Sequence, residues 1–138
     1  MMKKITMVLL FTIIFSNNSF SKIISFNNCY SLGDDKRFSS KINHKKNLEK
    51  NSYEVDTINK TIKNITIFRD DYLKDKPGKS KITTYTWNVE YIDNNYINGF
   101  NYAKLEEKRQ KVVVLIKIKE KTIDIKAGEN ISIKYQCE

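Results

Sequence analysis

Two cysteines, one histidine, three adjacent carboxylate pairs and a set of tyrosines around a single tryptophan are the groups with which this 138-residue chain could do chemistry. Cys29 and Cys137 have neither the close Cys-x-x-Cys spacing of a redox or metal motif nor histidines beside them, so they read as a structural disulfide. Such a bridge would clasp the two ends of the domain. The lone histidine, His44, sits in a polar basic segment. A His-based triad or a zinc site has nothing else to assemble from, so no metal and no cofactor is expected.

Glycoside hydrolysis needs only two carboxylates at a set separation. The pairs here, Asp34-Asp35, Asp70-Asp71 and Glu106-Glu107, are adjacent in sequence, and adjacent acids on a strand point to opposite faces. They read as turn residues, and no catalytic residue is assigned. A hydrolase acting on envelope glycans would require Glu90 to meet Asp70 or Asp71 in one cleft. Asp34 and Asp35 lack the Asp-x-Asp-x-Asp-Gly spacing of a calcium loop. With four glycines in the chain, none clustered, there is no phosphate-cradling loop, which argues against nucleotide chemistry.

The remaining chemistry is recognition. Tyr85, Trp87 and Tyr91, with Tyr96, Phe100 and Tyr102 on the following strand, form an aromatic stripe flanked by Lys81, Lys104 and Arg109. One reading buries the stripe as core. The other exposes part of it to stack on a sugar, a base or a partner loop beside the cations.

These groups must be held by strands. From Thr61 onward, β-branched and aromatic residues alternate with polar ones at period two, the mark of half-buried strands. Strands are expected near Ile62 to Phe68, Lys81 to Ile92, Tyr96 to Tyr102 and Lys111 to Lys119, then around Ile123 to Ile125 and Ile131 to Cys137. Lys76-Pro77-Gly78-Lys79 suits a type II turn, and Asp93-Asn94-Asn95 offers residues that tolerate positive φ. The Lys111 to Lys119 strand is the most apolar and should be central. Residues 101–110 hold good helix formers and fit a short helix or a charged loop equally. Residues 33–51 are basic and show no sustained period, which reads as a flexible loop. The fold class is therefore all-β, or β-rich with at most one short helix: an antiparallel meander of about six to eight strands forming a small barrel or sandwich.

The compartment follows from the start of the chain. Lys3 and Lys4 precede an uncharged run from Ile5 to Phe15, then Ser16, Asn17 and Asn18, with small residues Ser19 and Ser21 before Lys22. That order predicts a secretory signal peptide over residues 1–21 and one exported domain over 22–138, periplasmic or secreted. The apolar run is about half the ~20 residues of a membrane-crossing helix, and no later stretch is long or apolar enough to span.

Without the leader, 23 basic residues stand against 16 acids, a net charge of +7. A positive surface favours acidic partners by long-range attraction, although the Lys, Ile and Asn bias of the chain would also follow from AT-rich coding. The expected function is a non-catalytic binding module whose partner is an envelope protein or an anionic polymer. Nucleic acid is a poor fit. The alternatives are the two-carboxylate hydrolase and a basic factor that associates with the envelope or a membrane surface.

Overall fold

A computed structural model describes residues 22–32, 46–105, 107–129 and 131–138. The leader, His44 and the Asp34-Asp35 pair lie outside them.

Nine antiparallel strands form one curled sheet, a half-barrel. They are β1 (Ile23–Phe26), β2 (Tyr30–Ser31), β3 (Leu48–Asp56), β4 (Thr61–Phe68), β5 (Ile82–Ile92), β6 (Tyr96–Leu105), β7 (Lys108–Lys117), β8 (Thr122–Ala127) and β9 (Ile131–Gln136). Strands β3 to β9 follow one another as a meander, with β1 on the β3 edge and β2 on the β9 edge. Because β1 and β2 are consecutive in the chain, residues 27–29 join the two edges of the curl. The Cys29 N–H donates to the Asn51 carbonyl, the Glu138 N–H donates to the Asn27 carbonyl, and Cys29 is bonded to Cys137 across a sequence separation of 108.

The strand count exceeds the expected range because the additions lie in stretches with little periodic signal. Strands β1 and β2 have four and two residues. In β3 the inward set includes a polar residue, Asn51. Residues 48–51, grouped by composition with the basic loop, are extended and paired, with Leu48 fully buried. The side chain of Asn51 is accommodated by hydrogen bonds: its Nδ2 donates to the Cys29 carbonyl at 2.9 Å, and its Oδ1 accepts from Asn64 Nδ2 and Thr66 Oγ1.

Alternation fixes which residues face inward. Tyr53, Val55, Ile62, Trp87, Ile97, Val114, Ile116, Ile123 and Tyr135 form the concave core, with the cystine among them. Strand β7, the richest in valine, lies between β6 and β8 away from either edge. One helical turn, α1 (Asp70–Leu73), ends β4 and presses Tyr72 onto Phe68, the rings stacked at 5.1 Å. Beyond it Gly78 takes φ +81 in the Pro77-Gly78 turn, where Lys79 N–H reaches the Lys76 carbonyl.

Two local expectations change. The Asp93-Asn94-Asn95 turn contains no positive φ; the Asp93 carboxylate shapes it by accepting from the N–H groups of Asn95 and Tyr96, both at 2.7 Å. Residues 101–105 and 108–110 are not helical but form the paired ends of β6 and β7, in register from Tyr96↔Lys117 to Leu105↔Lys108, with Glu107 at φ 66 in the turn. Ten ladder pairs outweigh local helix propensity, which amounts to only a few tenths of a kcal/mol per residue.

Candidate functional site

The aromatic stripe is split between the two faces of the sheet, and a β-bulge does the splitting. Val89 pairs with Gly99 and Tyr91 pairs with Asn98, so Glu90 is the extra residue. One inserted residue reverses the alternation beyond it. Tyr85, Trp87 and Val89 therefore face inward, whereas Tyr91 turns outward and Ile92 takes the inner position against Ile97.

Trp87 belongs to the core at 3% exposure, between Tyr53 and a half-buried Tyr85 whose ring centroid is 4.6 Å away. The Tyr85 hydroxyl and Trp87 Nε1 are buried with no hydrogen-bond partner among the described residues. Burial raises the Tyr85 pKa above the usual phenol range. Both rings face the inside of the curl, away from the outer face of the sheet. Lys81 is also removed from the stripe, held at the foot of β5 by Asp70 at 3.0 Å and Glu49 at 3.7 Å, which raise its pKa, the Asp70 hydrogen bond foremost.

The outer face of β6 and β7 collects the rest. Reading down the paired strands, Tyr96 stands opposite Lys117, Asn98 opposite Leu115, Phe100 opposite Val113, Tyr102 opposite Lys111 and Lys104 opposite Arg109. Tyr96 and Tyr102 are each nearly half exposed, and Tyr91 is 55% exposed at the neighbouring edge of the strip. The Phe100 and Tyr102 rings meet edge to face at 6.1 Å. The Arg109 guanidinium lies 4.7 Å over Tyr102 and the Lys111 ammonium 4.8 Å over Phe100. Each such contact at an exposed site stabilises by about 0.5–1 kcal/mol and fixes a cation on a ring without neutralising it.

Lys104 directly opposite Arg109 is unfavourable within the chain, since like charges across a ladder repel. None of Lys104, Arg109 and Lys111 is in an ion pair among the described residues. The result is a strip with aromatic faces at one level and uncompensated cations at the next. Beside it a groove of about 210 Å³ runs between Asn98, Val113, Leu115, Asp124 and Lys126. Below, the Asp93 carboxylate accepts from the Tyr91 hydroxyl at 2.9 Å. The backbone N–H groups of Tyr96 and Asn95, then Tyr91, hold Asp93 below the usual carboxylate range, and Tyr91 is correspondingly raised.

Sequence reasoning placed Tyr102 in the stripe but missed Lys111 beside it. Both share the outer face with Arg109 by simple alternation, but that signal is hidden once residues 101–110 are read as helix or loop. The carboxylates of the hydrolase alternative do not converge. Asp70 is engaged by Lys81, whereas Glu90 projects from the bulge nine residues farther along, roughly 30 Å of extended chain.

No cluster of three or more His, Cys, Asp or Glu that would hold a metal occurs among the described residues, and none of their helices is long and apolar enough to cross a membrane. No family model, curated protein or solved structure matches the chain.

Proposed function

We propose that this protein is an exported, non-catalytic binding module, and that the outer face of β6 and β7 takes an anionic polysaccharide. The observation that carries the reading is Lys104 held opposite Arg109, with Lys111 one step away and no carboxylate paired to any of them among the described residues. A sheet that keeps like charges in register gains most when an anion bridges them. Tyr102 and Phe100 supply aromatic surface for sugar rings at the adjoining level, and the outward side chains of the two strands follow one line, as an extended polymer requires. Export is supported by the leader-like N-terminus and by the disulfide, which persists in oxidising compartments.

Retention of the oxidised protein on an immobilised sulfated polysaccharide tests this. The salt needed for elution should fall clearly in Lys104→Gln/Arg109→Gln, and fall little in Lys119→Gln/Lys121→Gln, which removes equal charge elsewhere. Equal shifts in the two variants would reduce the interaction to net charge and remove the assigned site.

A further inference from the structure

The ladder between β5 and β6 runs only from Asn88↔Phe100 to Ile92↔Ile97. Below it the strands part: the start of β5 pairs with β4 alone, and the end of β6 pairs with β7 alone. Asn101 Nδ2 crosses the seam to the Thr86 carbonyl. The inner side of the seam opens into a cavity of about 230 Å³ lined by Tyr85, Trp87, Ala103, Leu105, Val112 and Ile125, among others, all apolar or aromatic side chains.

A second depression of about 390 Å³ shares Leu105, Ala127 and Ile131 with the first and adds Lys108, Gln110, Gly128 and Glu129. The two adjoin along these residues and make one open recess, apolar beside the β5–β6 seam and polar where Lys108, Gln110 and Glu129 line it.

Two sequence features account for the space. The chain contains two alanines, Ala103 and Ala127, and both line this cavity. At other inward positions of β6 to β8 the residues are mostly Ile, Val or Leu, whose branches fill the curl. Along the inner face of β7, Lys108, Gln110 and Val112 succeed one another at every second position, so polarity falls from cation to amide to aliphatic going inward. Gln110 lies against Gly128, whose φ of +59 lets the β8–β9 turn form the other lip, where Glu129 sits.

We infer that this recess binds a single-chain amphiphile with an anionic head, its alkyl chain in the cavity between Ala103 and Ala127 and its carboxylate at Lys108 and Gln110. The walls suit a chain rather than a sugar, because the surface that the inner cavity offers is wholly apolar. The head is assigned a negative charge because Lys108 and the Gln110 amide share the lip formed by the inner face of β7, and Lys108 is not ion-paired with Glu129 on the opposite lip. This site is on the opposite face of β6 and β7 from the polysaccharide strip and does not depend on it.

Trp87 is the chain's one tryptophan and lines the cavity, so it reports occupancy directly. Titrating the oxidised protein with dodecanoate carrying a terminal bromine, below its micelle concentration, should quench Trp87 emission saturably. Ala103→Leu, which fills the cavity, should weaken that binding by at least about tenfold, while Ala103→Ser should retain it. Lys108→Glu, on the exposed lip, should weaken dodecanoate and leave dodecyl maltoside unaffected, which keeps the test decisive if Ala103→Leu fails to fold. Absence of saturable quenching in the parent protein, or equal quenching in the parent and Ala103→Leu, would overturn the site. Equal affinity of the parent for dodecanoate and dodecyltrimethylammonium would overturn the anionic head.

Discussion

Removing the Cys29–Cys137 bridge should lower the melting temperature by roughly 15–20 °C, and the magnitude follows from where the cysteines lie in the chain. The bond closes a loop across a separation of 108 residues, which in the chain-entropy treatment restricts the unfolded ensemble by about 4.8 kcal/mol at 25 °C. For a domain of this size, 1 kcal/mol corresponds to about 4 °C, which gives that range. Against a typical total of about 5–15 kcal/mol, the bridge is a large share of the stability.

The native backbone should keep its shape without the bond. Cys29 N–H still donates to the Asn51 carbonyl and Asn51 Nδ2 to the Cys29 carbonyl, so the segment that joins β1 to β2 stays anchored. The assay is thermal and urea unfolding of Cys29→Ala/Cys137→Ala beside the oxidised parent. Because the effect resides in the unfolded chain, the urea m-value should also rise, as the uncrosslinked chain exposes more surface. A melting shift below about 5 °C with an unchanged m-value would refute the reasoning and assign stability to the strand contacts alone.

Gly99→Ala should destabilise by about 1–3 kcal/mol in the same urea assay, because a Cβ there would stand 2.8 Å from Ile62 Cδ1 and 2.9 Å from the Asn88 carbonyl oxygen; a change within about 0.5 kcal/mol would show that the inner wall yields. Asp93 titrates below the usual carboxylate range because the folded turn donates two N–H groups to it. Its contribution is therefore present above the unfolded-state pKa and is lost as pH falls through the lower, folded value. Asp93→Asn should flatten the acid limb of the stability curve below about pH 4, and an acid limb identical to the parent's would contradict this. The two binding tests above, Lys104→Gln/Arg109→Gln on an anionic polysaccharide and Ala103→Leu with a bromine-labelled fatty acid, should each leave the other interaction intact.

Much of this fold was legible because a half-barrel with one buried face writes its period directly into the chain. Val112, Val114 and Ile116 mark the inner face of β7 without reference to any other strand, and the even spacing from Ile131 to Cys137 sets the final cysteine on the core side. The site was less legible. Tyr85, Trp87 and Tyr91 form one stripe by counting, but a single unpaired residue, Glu90, divides them between interior and surface.

The sequence by itself determined that the backbone is extended, that its strands are antiparallel and that two distant cysteines meet, since each follows from residue types at fixed spacing. Only the tertiary structure decided which aromatic rings are outside, that Lys104 faces Arg109, and that the two alanines line a common cavity. These depend on pairing register and on a bulge, and register is set by contacts between strands that no local pattern contains.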